Sequence, residues 1–399
     1  MKNRSILITG ATGIMGSWVL GEALKRGYSP VALMRDASEE AARDRLRAIL
    51  ALPEQADLLD KVEILQGDTT RPGFGLSEAA LNDLRARIGG VIHCAASTSF
   101  SPRKDAVLWQ TNVEAVVSMI DFLRGTGIPL FHVSTAYVAG TRSDRVFENQ
   151  LTPEVPFKNT YERTKREAER LVNEAIAKGD IQGAIFRPSI IVGASTDGRI
   201  SQFLNFYTIL RYVDLLQRGK LGEVSLRLQG NPFSTLNLVP VDWVAEALWR
   251  IVEAEGASGQ TYHLTHSDPP TQKSISSWAG SALRDAPGSL SFQTRLDGTI
   301  GNAERVANEA MTLYRDYLVD EPVFDRTNTD RALGHAFPTP KIEAPLLDDM
   351  LFYAQEQKWQ GVFGCKLSGV QQEEAPPQQI ALEILRRDIT EARTRKDAV

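Results

Sequence analysis

The chain opens with a strand that runs straight into closely spaced glycines and then into a helix, and few folds begin that way. Residues 5 to 9 (SILIT) are β-branched and aliphatic, GATGIMG follows at once, and from Ile14 to Arg26 the apolar residues fall at helical spacing. In that turn Gly10 permits a tight bend, Gly13 lets backbone N–H groups approach a pyrophosphate, and Gly16 lets helix and strand pack closely. The helix N-terminus then faces the anion. Glycines at this spacing can mark a mere tight turn, but between a strand and a helix they form a dinucleotide fingerprint. Gly10, Thr12, Gly13, Ile14, Met15 and Gly16 are therefore candidate cofactor contacts.

The alternation continues. Apolar strands are expected at 30–35 (PVALMR), 62–68 (VEILQGD), 91–96 (VIHCAA), 129–135 (PLFHVST) and 183–193 (GAIFRPSIIVG), separated by helices near 38–51, 77–87, 105–125 and 159–178. Strands so uniformly apolar belong in a parallel sheet buried on both faces, which predicts an α/β fold with a doubly wound, Rossmann-type parallel sheet. The regular pattern stops near 195, and TLNLVPVDWVAEALWRIVEA (235–254) and QTYHLT (260–265) resume it. The predicted domains are a cofactor-binding domain over 1–195 with 235–265 returning to it, and a smaller, mostly helical substrate or lid region over 196–234 and 266–370. Residues 371–399 read as a flexible or helical tail.

Charge and composition narrow the chemistry. With 45 basic and 50 acidic side chains the net charge is −5, and no basic stretch follows a nucleic-acid backbone. Cys94 and Cys365 lie far apart, and His93, His132, His263, His266 and His335 form no HExxH array, so no metal site is expected. The start lacks the apolar core of a signal peptide, and no apolar run reaches the ~18 residues of a membrane span. A reducing, cytoplasmic setting follows as the default.

The second strand ends in Met34-Arg35-Asp36. An acid at such a strand end accepts hydrogen bonds from ribose hydroxyls, whereas an arginine pairs with a 2′-phosphate, so Arg35 favours NADP(H) over NAD(H). Asp68 and Thr69, after the third strand, are candidates for the adenine edge. Ala95 and Ala96, after the fourth, are small enough for the cofactor to lie against the backbone.

Tyr161 and Lys165 in YERTK stand four residues apart, hence on one helical face. A nearby cation favours the charged form of a phenol and eases proton exchange with a carbonyl oxygen. Such a pair is common on any helix, and Ser134-Thr135 at the end of the preceding strand is what gives it meaning, since a hydroxyl there can donate to the same oxygen. This yields a site of Tyr161 as proton donor, Lys165 as perturbing cation and ribose ligand, and Thr135 as second donor, with Asn112 seating the lysine and a water.

TGATGIMG, GD at 67–68, VIHCAA, TNV, HVSTAY, YERTK and RPSIIVG occur in the order found in extended short-chain dehydrogenases/reductases. Within them the chain most resembles fatty acyl-CoA reductases and the terminal thioester reductase domains of nonribosomal peptide and polyketide synthases. HVSTAY (132–137), RPSIIVG (187–193) and VPVD (239–242) carry that likeness, and Tyr314, Tyr317, Phe324, Asp325 and Asn328 match more distantly. The resemblance covers residues 5 to about 265 well and the remainder poorly. It implies catalytic roles for Thr135, Tyr161 and Lys165. It also implies cofactor contacts at Gly10, Gly13, Gly16, Arg35, Asp68, Asn112, Lys165, Pro188 and Ile190, with Arg45 as a second phosphate contact.

The function so implied is NADPH-dependent reduction of an acyl thioester to an aldehyde, with the alcohol as an open continuation. Because the sequence holds neither an adenylation nor a carrier domain, the substrate would be free acyl-CoA or a thioester on a separate carrier protein. A ketone or aldehyde reductase of flavonoid or steroid type keeps the same residues and remains the alternative; a nucleotide-sugar epimerase or a non-catalytic NADP-binding protein fits less well. Finally, Phe203, Phe206, Tyr207 and Leu210 share one face of the segment 200–216. That stripe is expected to line an acyl channel over the active site, or else to be a helix packed as core.

Overall fold

The computed structural model describes residues 5–36, 38–50, 58–149 and 155–361. Cys365 and the tail from 371 lie outside them. The chain divides into two compact units, the first made of Met1–Ser195, Val239–Ser267 and Pro322–Pro340, the second of Thr196–Leu238, Asp268–Glu321 and Lys341–Val399.

The first unit is built on a seven-stranded sheet. Its strands are β1 (Ser5–Thr9), β2 (Ser29–Met34), β3 (Glu63–Gln66), β4 (Ile88–His93), β5 (Pro129–Val133), β7 (Gln182–Pro188) and β11 (Thr261–Leu264). All neighbours are parallel, in the order β11-β7-β5-β4-β1-β2-β3. The period of two sorts the side chains. Ile6, Ile8, Ile92 and Phe131 enter one core cluster, while Leu7, Val91 and Leu130 enter the other.

The first cluster is covered by α1 (Ile14–Lys25) and α8 (Val241–Glu253), where Trp249 buries its ring and donates its indole N–H to Val19 O at 2.9 Å. Against the second lie α3 (Glu78–Arg87), α5 (Ala115–Leu123) and α6 (Thr160–Ala177), which contribute Leu81, Val116, Met119, Ala168 and Val172. α2 (Glu39–Ile49) and α4 (Asp105–Trp109) complete this part of the chain. Strand order reverses between β1, whose far neighbour is β2, and β4, so the crevice at their carboxyl ends is the switch point where ligands bind in such sheets.

Three local expectations differ from the structure. β4 starts at Ile88 and ends at His93 rather than running from 91 to 96, because its ladder closes with Cys94 N donating to Thr9 O at 3.2 Å before the chain turns away. The single strand 183–193 breaks at Ser189 into β7 and β8 (Ile190–Val192). The long helix 105–125 contains a π turn at Gln110–Glu114 between α4 and α5, a rare form that concentrates at functional sites.

Pro322–Pro340, which the sequence reading grouped with the second region, packs with the sheet instead. β13 (Val323–Phe324) pairs with β6 (Arg145–Val146), and α12 (Thr327–Leu333) lies against β11 and α8. The buried Glu148 carboxylate anchors this return, accepting from His263 N at 2.7 Å, Thr329 Oγ1 at 2.6 Å and Thr329 N at 3.2 Å. A lone glutamate 115 residues from its partner strand gives no sequence signal of that kind.

The second unit contains α7 (Tyr207–Gln217), α9 (Gln272–Ala282), α10 (Asn302–Ala310), α11 (Arg315–Val319) and α13 (Ala344–Glu356), with β9 (Ser225–Gln229) paired to β12 (Ser289–Gln293). β10 (Leu238–Pro240) leads back into α8. Phe206, Tyr207, Leu210 and Tyr212 are buried as α7 packs on α9, α13 and β12, and Tyr212 donates to Ala307 O at 3.3 Å. Phe203 sits among Tyr207, Tyr353 and Trp359 at ring separations of 5.2, 6.1 and 5.7 Å. The aromatic stripe is thus core, and the acyl-channel expectation gives way to the packed-helix reading. Among the described residues no helix is long and apolar enough to cross a membrane.

Candidate active site

The glycine turn is as tight as its sequence implies. Gly10 lies at φ +68°, and a Cβ there would come within 2.6 Å of Ala95 N. A Cβ on Gly16 would fall 2.0 Å from Gly10 O, so α1 reaches β1 only because that position has no side chain. Gly13 donates to Gly10 O at 2.9 Å and caps α1 without a side chain, leaving the first-turn N–H groups uncovered by a capping group. This is a cradle suited to a dinucleotide pyrophosphate. Across the switch point, Ala95 N donates to Thr9 Oγ1 at 3.2 Å, which holds the β4 loop beside Gly10.

At the end of β2, Arg35 is exposed, while Asp36 accepts from Arg45 at 3.4 Å. Arg45 extends from α2, which is capped by Ser38 accepting from Ala41 N. Arg45 thus reaches the strand end at which Arg35 stands. Asp68 spends Oδ1 on Thr70 N at 2.9 Å and Thr70 Oγ1 at 2.8 Å, closing an Asx turn, with Thr69 buried beside it.

α6 starts at Thr160 because Asn159 caps it, accepting from Glu162 N at 3.0 Å, while Glu162 turns back to accept from Lys158 N at 2.9 Å. These two bonds are a variant of the capping box, and they place Tyr161 in the first turn. Thr135 stands close enough to the Tyr161 phenol to oppose the rise in its pKa, so the two hydroxyls are neighbours. Thr135 Oγ1 donates its one proton to Pro188 O at 3.4 Å and accepts from Tyr137 N at 3.3 Å, which fixes its rotamer beyond the end of β5.

Lys165 is 2% exposed and donates from Nζ to Val133 O at 2.7 Å. Burial pulls its pKa down to about 8, with Glu169 and Cys94 acting in the opposite sense. The Tyr161 phenol behaves differently from the sequence expectation. Burial pushes its pKa up to about 12, against the neighbouring Thr135 and with the Glu162 charge adding to the rise. Desolvation is the largest cause, and Lys165 is not among the groups that move the phenol. A phenol so placed stays protonated at neutral pH and suits the donor role.

Asn112 acts less directly than expected. Both of its amide protons are spent, on Ser97 O and Thr164 Oγ1 at 3.0 Å each, and its Oδ1 accepts from Ser97 N at 2.8 Å. Situated on the π turn, it ties the loop after β4 to α6 beside Lys165, and these bonds give it a positioning role rather than a direct hold on the lysine. Of the remaining candidates, Ala95 and Ala96 follow β4, Pro188 ends β7 and Ile190 begins β8.

Sequence reasoning missed a buried polar layer under these residues. His93 and His132 stack at 5.6 Å, both lowered in pKa by burial and by Lys165, His93 to about 3, so both are neutral. Glu169 and Arg187 form an ion pair with 0% and 1% side-chain exposure. The signals available were the continued four-residue spacing Tyr161, Lys165, Glu169 and the arginine inside RPSIIVG. Among the described residues no group of three or more His, Cys, Asp or Glu is placed to hold a metal ion.

Comparison with known proteins gives these features a family. The Aspergillus flavus nonribosomal peptide synthetase asaC is 29% identical over 289 residues, which is 68% of this chain and 27% of the synthetase. Fatty acyl-CoA reductase 1 of Gallus gallus is 30% identical over 237 residues, 49% of this chain and 44% of that reductase. The chain therefore spans less than half the length of either relative. Among solved structures, the terminal R domain of the myxalamid PKS-NRPS pathway superposes with a TM-score of 0.72 at 24% identity, covering 89% of this chain and 91% of that one. The reductase domain of a Mycobacterium tuberculosis nonribosomal peptide synthetase gives 0.66 at 20% identity, covering 89% and 92%. At these identities the structural likeness is one of fold. Residues 8–248 match the NAD-binding family described as male sterility protein, and the chain belongs to that family, oxidoreductases of the extended short-chain dehydrogenase/reductase type that include thioester reductase domains and fatty acyl-CoA reductases.

Proposed function

We propose that the protein reduces an acyl thioester, offered as acyl-CoA or on a separate carrier protein, to the aldehyde with NADPH. The observation that carries this reading is the closeness of the Thr135 and Tyr161 hydroxyls, the first just beyond the carboxyl end of β5 and the second in the first turn of α6. The glycine cradle and the small residues Ala95 and Ala96 would hold the cofactor, with Arg35 and Arg45 at the 2′-phosphate. Bound there, NADPH supplies the hydride.

The chain's own residues manage the charge that appears on the substrate. As the thioester carbon becomes tetrahedral, negative charge gathers on its oxygen, and Thr135 and Tyr161 are the preorganised donors for it. Tyr161, held protonated by its burial, has a proton to share with that oxygen. Collapse of the adduct breaks the carbon–sulfur bond, releasing thiolate and aldehyde. The same pair of donors serves a second reduction to the alcohol. Lys165 contributes a cation beneath the site, fixed to the β5 backbone at Val133. Incubating the protein with NADPH and an acyl thioester tests the reading by product analysis: it requires aldehyde or alcohol, and the absence of both overturns it.

A further inference from the structure

Glu169 stands one helical turn beyond Lys165 and two beyond Tyr161 on α6, and its side chain is wholly buried. Its carboxylate accepts from Ser134 Oγ at 2.8 Å. Arg187 Nε donates to both of its oxygens at 3.1 Å, and Arg187 Nη2 donates to Oε1 as well. Arg187 Nη1 reaches His263 Nε2 at 3.0 Å, while His263 Nδ1 lies 2.6 Å from Asp325 O.

A carbonyl oxygen only accepts, so His263 carries its proton on Nδ1 and leaves Nε2 to accept from Arg187. Burial and the adjacent arginine hold that imidazole neutral, its pKa pulled down to about 3. Every bond in the chain Asp325–His263–Arg187–Glu169–Ser134 therefore has one direction. A buried ion pair is a costly way to gain stability. Here it spans three elements that meet at the site, the end of β5, α6 and β7.

We propose that Glu169, held by Arg187, is a positioning residue for the Thr135–Tyr161–Lys165 site: it tethers Ser134, and so the adjoining Thr135, to α6, and it places a fixed negative charge one turn from the Lys165 ammonium. The inference rests on the assignment of those residues made above. Besides Glu169 on its own helix, Lys165 is faced by His93 from β4, His132 from β5 and Cys94 from the loop after β4. Both imidazoles are neutral, and burial pushes the Cys94 thiol up to about 12, so the carboxylate is the anion of this set. Its charge opposes the burial that pulls Lys165 down to about 8.

Two variants of the full chain separate the two roles. NMR titration of isotope-labelled lysine, with the Lys165 signal identified by its loss in Lys165→Arg, reads the charge without any substrate. Glu169→Gln moves the Lys165 midpoint to lower pH, whereas Ser134→Ala leaves it in place. In turnover with NADPH and an acyl-CoA, Ser134→Ala lowers kcat by ~10-fold or more, a smaller loss than the ~10²-fold that a full 1 Å misplacement brings, and leaves KM unchanged. If Glu169→Gln does not fold, Glu169→Asp replaces it, keeping the midpoint while lowering kcat. An unmoved midpoint in Glu169→Gln, or native kcat in Ser134→Ala or Glu169→Asp, overturns the proposal. A wild-type protein that turns over no thioester refutes the reaction assignment instead, while the titration still reports on Glu169.

Discussion

Replacing Gly16 by alanine tests how closely α1 is pressed onto the end of β1. The new Cβ would sit 2.0 Å from Gly10 O, 2.7 Å from Gly10 C and 3.2 Å from the Cα of Ala11, all backbone atoms that no rotamer change can clear. α1 must therefore withdraw by ~1 Å or more, and overpacking of this kind costs about 1–3 kcal/mol. Alanine's better helix propensity returns about 1 kcal/mol. Rigid backbone on both sides puts the cost at the upper end of the range, leaving a net loss of about 2 kcal/mol, or roughly 4–8 °C in Tm for a unit of this size. Gly13→Ala is the internal control. Its Cβ meets Gly10 O at 3.3 Å and its φ of −80° is open to any residue, so that variant should melt near wild type. Its methyl group would instead enter the cradle and weaken NADPH binding. Thermal melts followed by circular dichroism, together with a fluorescence titration of NADPH, read both effects. A Gly16→Ala protein that melts with wild type and binds NADPH normally would refute the close-approach argument.

Tyr161→Phe deletes a donor and little volume. NADPH affinity should survive while turnover falls by ~10²-fold or more, and a variant keeping most of its activity would show that the phenol is not the donor. Arg35→Ala should weaken NADPH by roughly ten- to a hundredfold through loss of a charge-assisted hydrogen bond; an equal loss for NADH would point to a structural arginine. Acid stability gives a test free of substrate. His93 and His263 are lowered to about 3 and His132 is lowered as well, so from the ordinary histidine range near 6.5 down to those values the unfolded chain takes up protons that the folded chain refuses. Stability should therefore be full above pH ~6.5 and fall as pH drops from there toward the folded-state values, by up to ~1.4 kcal/mol per pH unit for each histidine. Urea unfolding curves that coincide at pH ~7 and ~5 would contradict the buried neutral assignment.

Much of the first unit can be read in the sequence because its signals are local. SILIT followed by GATGIMG specifies a strand, a turn and a helix within residues that are neighbours in the chain. Tyr161 and Lys165 share a face by the helical period, and Thr135 gains meaning from its place at a strand end. What escaped depends on contacts far apart in sequence. Glu169 continues the Tyr161–Lys165 spacing, but its value comes from Arg187 and Ser134, and pairing across 18 and 35 residues has no local signature. The return of Pro322–Pro340 to the sheet hangs on Glu148 and α12, and no periodicity announces it. The direction of the Tyr161 shift is hidden for a related reason: helical spacing places the lysine nearby, but the burial that raises the phenol belongs to the folded chain. The stripe Phe206, Tyr207 and Leu210 shows the limit in reverse, since an apolar face has the same sequence whether it lines a channel or fills a core.

Reduction of a thioester by NADPH at the Thr135–Tyr161–Lys165 site is read by following two products at once. The protein is mixed with NADPH and an acyl-CoA, NADPH loss is followed by absorbance, released thiol is trapped with a chromogenic disulfide, and the acyl product is identified by mass spectrometry. Thiol appearing in step with NADPH oxidation, together with aldehyde or alcohol, and all of it lost in Tyr161→Phe, is the predicted result. NADPH oxidation with a simple ketone but none with acyl-CoA or carrier-bound thioesters, and no thiol released, would contradict the account.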